Sequence, residues 1–210
     1  MVLSAEKINK RIKDRVILDD VSLELTSGKI YGFVGENGSG KTMLFRALSG
    51  LMKIDSGVIK LDDKVLHKDM NVLPDMGIVI ENAGLYPELS GLENLRFLSK
   101  INKKIGDKEI REVISKVGLD PDDKRPFRKY SLGMKQKIVL AQAIMEKPAI
   151  LFLDEPTNAL DEAGINSVRD IILEIKKEGA LILIATHNKE DIELLVDELY
   201  KVKNGKIERM

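Results

Sequence analysis

Gly35-Glu36-Asn37-Gly38-Ser39-Gly40-Lys41-Thr42 is the stretch whose reading decides the fold. An apolar run, Ile30–Val34, leads into it and a helix-compatible run, Met43–Leu48, leaves it, which predicts a strand, a loop and a helix in that order. Gly35, Gly38 and Gly40 permit backbone angles that turn successive N–H groups inward, so the loop can cradle phosphate oxygens. A helix opening near Lys41 adds its positive end, Lys41 supplies a point charge to β- and γ-phosphates, and the Thr42 hydroxyl is a ligand for Mg²⁺. Glu36, Asn37, Ser39 and Met43 complete the predicted contact set around a nucleoside triphosphate.

Working outward, the N-terminal third reads as β-rich. Val21, Leu23 and Leu25 alternate with polar residues before the Thr26-Ser27-Gly28 turn, and Gly57–Leu66 reads as a hairpin around Asp62-Asp63. The middle reads as helical. Ser90-Gly91-Leu92-Glu93 has the spacing of a capping box, while Ile110, Val113, Ile114 and Val117 recur at helical period and stop at Gly118. Asp120–Lys129, charged and with two prolines, reads as a loop. Beyond it, a helix marked by Met134, Ile138, Ala141 and Met145 alternates with the apolar strand Ala149–Leu153. A second helix, marked by Ile165, Val168, Ile172 and Ile175, precedes the strand Ala180–Ala185. A short helix over Glu190–Val196 and a hairpin turn at Asn204-Gly205 close the chain. Strands and helices alternating in this way imply right-handed crossovers and a parallel α/β core. The expectation is one domain over residues 1–210: a phosphate-loop core, an N-terminal antiparallel β layer and a helical insert at about 82–130.

Composition narrows the class. The 210 residues carry 34 Lys+Arg against 34 Asp+Glu, so no global charge draws the chain to nucleic acid or anionic lipid. With no cysteine, disulfides, thiol catalysis and zinc–thiolate sites are excluded. The longest apolar runs fall far short of the roughly 18 residues that a membrane span needs, and Met1–Lys10 lacks the apolar centre of a secretory signal. A soluble intracellular protein is expected.

A second chemical element lies at Ile150-Leu151-Phe152-Leu153-Asp154-Glu155, an apolar strand ending in two acids. Such a strand delivers carboxylates to the carboxyl edge of a parallel sheet, where α/β proteins bind ligands. Asp154 is then placed for Mg²⁺, and Glu155 to orient or deprotonate an attacking water. Ahead of it, Tyr130-Ser131-Leu132-Gly133-Met134-Lys135-Gln136 offers a good N-cap, Ser131, to a helix whose free N–H groups point outward. After it come Pro156-Thr157-Asn158-Ala159-Leu160-Asp161 and, at the end of the next strand, His187.

Taken in order, these motifs resemble the ATP-binding subunits of ABC transporters from about residue 4 to 207. Ser131–Gln136 is similar to a variant of that family's signature, with Leu132 for its first glycine and Met134 for its glutamine; this Ser-Leu-Gly-Met-Lys-Gln form resembles subunits of antimicrobial-peptide export or immunity systems. The resemblance implies a Mg-ATP hydrolase powering a membrane transporter, with Glu155 as general base and Lys41 and His187 at the γ-phosphate. It also implies a two-fold homodimer or paralogue heterodimer, in which Ser131 and Gly133 of one copy complete the site of the other, and it adds Asp161 to the nucleotide-binding residues. A separate permease polypeptide, a cytoplasmic position on the inner face of the cell membrane and no nucleic-acid partner follow from it. The permease is expected to dock near Asn82–Leu92.

The chain also departs from the pattern. Glu81 stands where the family has a glutamine that helps to hold Mg²⁺, adding a negative charge near Asp154 and Glu155. Ile12 falls where the family often has an adenine-stacking aromatic, and Met43 replaces a frequent hydroxyl residue. Two other readings start from the same residues. Asn188-Lys189-Glu190-Asp191 and Asp161-Glu162-Ala163-Gly164 spell the NKxD and DxxG motifs of a small GTPase, but the second lies far past Lys41 and opens a helix. A non-transport ABC-type ATPase would carry a second ATPase unit or a long coiled coil, and the span from Lys41 to Asp154 shows no sustained heptads.

Overall fold

A computed structural model describes residues 1–80 and 84–210. Strands β1 (Val2–Ile12), β2 (Arg15–Thr26), β4 (Ser56–Leu61) and β5 (Lys64–Val65) form an antiparallel sheet in the order β2-β1-β4-β5. Strands β3 (Ile30–Val34), β6 (Met76–Val79), β7 (Ile150–Asp154), β8 (Leu181–Ala185), β9 (Glu198–Lys203) and β10 (Lys206–Arg209) form a second sheet in the order β10-β9-β3-β8-β7-β6. All its pairings are parallel except that of the terminal β9–β10 hairpin. The helices are α1 (Lys41–Ser49), α2 (Gly91–Asn102), α3 (Asp107–Lys116), α4 (Leu132–Ile144), α5 (Glu162–Lys177) and α6 (Lys189–Leu195).

Side chains of the central strands alternate between two cores, as the two-residue period of a strand requires. Ile150, Phe152, Leu181, Leu183 and Ala185 join α1 and the antiparallel layer through Leu3, Ile8, Leu25, Phe45 and Leu48. Leu151, Leu153, Ile182 and Ile184 face the other way, onto α2–α5. Strands buried on both faces read as unbroken apolar runs, which is why β7 and β8 are plain in the sequence. Strand β1 is less plain because irregular register interrupts its alternation between Ala5 and Arg11, with Lys7 of β1 at φ 48° and Asp20 of β2, beside Asn9, at φ 50°.

Helix α2 opens on the predicted capping box: Ser90 Oγ accepts the Glu93 N–H and the Glu93 carboxylate accepts the Ser90 N–H. The charged Asp120–Lys129 segment is less loop-like than expected. It ends in a 3-10 turn over Phe127–Lys129, whose Phe127 and Arg128 N–H groups donate to the carbonyls of Leu89 and Pro87 at 2.8 and 3.0 Å.

Candidate active site

Because β3, β7 and β8 are parallel neighbours, their carboxyl ends lie along one edge of the sheet. The edge carries the glycine-rich loop after β3, Asp154 and Glu155 at the end of β7, and His187 just past β8. A cleft of about 1000 Å³ opens there, lined by Asn37–Met43, Asp154, Glu155 and His187, with Arg15–Ile17, Gln136, Asn158 and Asn204-Gly205 on its walls.

The loop has the geometry of an anion cradle. Gly38 and Gly40 sit at φ 79° and 113°, in the left-handed region that glycine tolerates, and Gly40 caps α1 without a side chain to fold over its open N–H groups. Gly35 packs so closely against Val202 that a Cβ would overlap its carbonyl oxygen. Lys41 is buried, and its ammonium donates to the carbonyls of Gly35 and Glu36 at 2.7 and 3.2 Å. Among the described residues no carboxylate pairs with it. Ser39 Oγ is likewise buried without a hydrogen-bond partner among them. A buried cation, an orphaned hydroxyl and the positive end of a helix fit phosphate.

Thr42 and Asp154 meet across the cleft floor, the hydroxyl donating to the carboxylate. Adjacent oxygen donors of this kind suit a hard divalent cation. Glu155 adopts φ 50°, uncommon for a residue with a side chain, and its N–H donates to Ala185 O at 2.8 Å. That backbone turn brings Glu155 Oε1 to 2.9 Å from His187 Nδ1, pairing the predicted base with the exposed histidine of the next strand.

The predicted signature is built against this edge but does not enter it. Ser131 caps α4 by accepting the Met134 N–H at 3.2 Å; Ser131 and Leu132 are exposed, and neither they nor Gly133 line the cleft. Gln136 reaches back to the carbonyls of Glu155 and Pro156 at 3.3 Å each, and a Cβ on Gly133 would stand 3.0 Å from Ala159 O. Thus α4 rests on the segment that follows Asp154 and Glu155. Asp161 ends that segment by capping α5, accepting the Gly164 N–H at 3.0 Å.

Other expectations meet a different geometry. Ile12 does not line the cleft: β2 is the edge strand of its sheet, so Arg15, Val16 and Ile17 form the wall while Ile12, opposite Arg15 on β1, stands one strand behind. Glu81, with Asn82 and Ala83, lies outside the described residues. The GTPase-like motifs serve as helix caps: Asn188 Oδ1 accepts the N–H groups of Glu190 and Asp191, and Asp161 caps Gly164.

One cluster was not anticipated. Asp191, fully buried, accepts from Thr157 Oγ1 at 2.6 Å and from Arg169 Nε at 2.7 Å, while Arg169 also reaches Glu190 at 3.0 Å. Burial works against the Arg169 charge, but these hydrogen bonds outweigh it and hold its pKa above the ordinary value. The cluster locks the segment after Glu155 to the helix after His187. Its signal in the sequence is Arg169 itself, a charge on the apolar stripe of Ile165, Val168 and Ile172.

Comparison with known proteins agrees with this geometry. The family model described as ABC transporter matches residues 18–158. The uncharacterised ABC transporter ATP-binding protein YybJ of Bacillus subtilis (strain 168) is 48% identical over 201 residues, covering 96% of this chain and 92% of its own. The lantibiotic transport ATP-binding protein SrtF of Streptococcus pyogenes is 35% identical over 98% of this chain and 89% of its own. The bacitracin transport ATP-binding protein BcrA of Enterococcus faecalis is 32% identical over 97% and 67%. Among solved structures, the dimeric bacterial ABC transporter cassette MJ0796 superposes with a TM-score of 0.87 at 23% identity, covering 99% of this chain and 97% of that one. By the matched family model and by this likeness along nearly its whole length, the chain belongs to the ATP-binding subunits of ABC transporters.

Proposed function

We propose that the chain hydrolyses Mg-ATP to drive a membrane permease carried on a separate polypeptide, acting as a two-fold pair whose ATP sites are each completed by the partner copy. The observation that carries this reading is the convergence of Lys41, Thr42, Asp154, Glu155 and His187 on one cleft. Thr42 and Asp154 would hold Mg²⁺, which when bound neutralises phosphate charge and orients the oxygens of the nucleotide. Lys41 and the N–H groups around Gly38 and Gly40 bind the phosphates. Glu155 takes a proton from the attacking water, and His187, hydrogen-bonded to it, fixes its orientation and faces the γ-phosphate.

The exposed Ser131 end of α4 supports the composite arrangement, because a capped helix end aimed at solvent is a ready anion site for a second copy's nucleotide. The relative MJ0796 is described as a dimer and, in another structure, as a dimer bound to ADP and Pi after hydrolysis. Among the described residues no helix is long and apolar enough to cross a membrane. A place on the inner face of the cell membrane therefore depends on the permease. The exposed Tyr86 and Phe97 rings, stacked edge-to-face at 5.1 Å beside Pro87, form the apolar surface for it. The named transport of lantibiotic and bacitracin by relatives supports antimicrobial peptides as the cargo class.

Ser131→Arg in a Glu155→Gln background tests the pairing. Light scattering with Mg-ATP is expected to show a dimer for Glu155→Gln and a monomer that still binds nucleotide for the double variant. A dimer that survives Ser131→Arg overturns the composite site.

A further inference from the structure

The nucleotide cleft contains a cation that the phosphate chemistry does not use. Arg15 lies on its wall and, among the described residues, makes no hydrogen bond, ion pair or ring contact. Its place is set by β2. Ile17 abuts the phosphate loop, since a Cβ on Gly40 would stand 3.1 Å from its carbonyl oxygen. Arg15 lies two residues back along the same strand, past the register irregularity at Ile17, and lines the cleft with it. The Asn204-Gly205 turn packs directly beside Ile17 and Leu18, fastened to the loop by the Gly205 N–H on Ser39 O at 3.1 Å and to β2 by the Asp19 N–H on Gly205 O at 3.0 Å, and it lines the cleft next to this strand. Among the described residues no aromatic side chain lines the cleft.

We infer that Arg15 is the base-recognition residue of this subunit, laying its guanidinium over the face of the purine. The inference rests on the nucleotide reading of the cleft. A planar guanidinium stacks on aromatic faces as a lysine ammonium does not, and stacking accepts any base because each has a π-face. Recognition of this kind holds ATP and GTP by the same means.

Isothermal titration of the full chain with Mg-ATP, Mg-GTP and inorganic tripolyphosphate tests it. Arg15→Ala is expected to weaken ATP and GTP alike by about five- to tenfold, with tripolyphosphate unchanged. Arg15→Tyr restores the purine nucleotides, and Arg15→Lys does not. Unaltered ATP binding by Arg15→Ala, an equal loss for tripolyphosphate, a loss for ATP alone, or rescue by lysine and not tyrosine overturns the inference. Failure of the parent chain to bind ATP at all would refute the nucleotide reading instead.

Discussion

Asp191→Ala strikes the buried ionic cluster that ties the segment after Glu155 to the helix after His187. The carboxylate is 1% exposed and serves two partners, Thr157 at 2.6 Å and Arg169 at 2.7 Å, the latter 6% exposed at its side chain. Its removal strands a buried guanidinium and a buried hydroxyl together. Breaking a buried pair from one side costs about 3–5 kcal/mol. Glu190 still reaches Arg169, but it is 67% exposed and offsets little. For a domain of this size each kcal/mol lowers the melting temperature by roughly 2–4 °C, so a fall of roughly 6–20 °C is expected by differential scanning calorimetry. The joint change Arg169→Met with Asp191→Leu removes both charges and is expected to recover at least half of that loss. A fall of less than about 2 °C in Asp191→Ala would refute the reasoning, as would a double variant no better than the single one.

The remaining predictions concern the frame and its ionic surface. Gly77→Ala places a Cβ on the Ala143 carbonyl oxygen, where β6 crosses α4, and is expected to lower the denaturant midpoint well beyond an ordinary surface change; an unchanged midpoint contradicts that contact. Arg96 and Arg111 hold the Asp107 carboxyl down to about 2 from its usual 3.8. The anchoring of α3 is thus complete above about pH 4 and lost as pH falls toward 2; carbon-detected NMR should find the Asp107 midpoint near 2, and a midpoint near 3.8 would deny the paired geometry.

Much of this molecule is legible in its sequence because the decisive features are local. The Gly35–Thr42 loop, the acids that end β7 and the Ser90 capping box depend on residues within a few positions of one another, and they stand where their spacing implies. Strands β7 and β8 are legible because burial on both faces leaves them wholly apolar. What spacing does not convey is which strand lies at an edge. Arg15 lines the cleft and Ile12 does not because β2 pairs on one side only, a property of the whole sheet. The Thr157–Asp191–Arg169 cluster joins three separate elements, and Arg169 hints at it by interrupting an apolar stripe without identifying its partners. Asn188 and Asp161 show the converse, where short matches to another family's motifs turn out to be helix caps.

The most direct test of the account is Mg-ATP turnover by the purified chain over a range of protein concentrations, with Glu155→Gln alongside. Specific activity is predicted to rise with concentration as pairs form, and to fall by about 10²–10⁴-fold in the variant, which keeps the nucleotide but lacks the base. Turnover by Glu155→Gln at the parental rate, or none by the parent at any concentration, would contradict it.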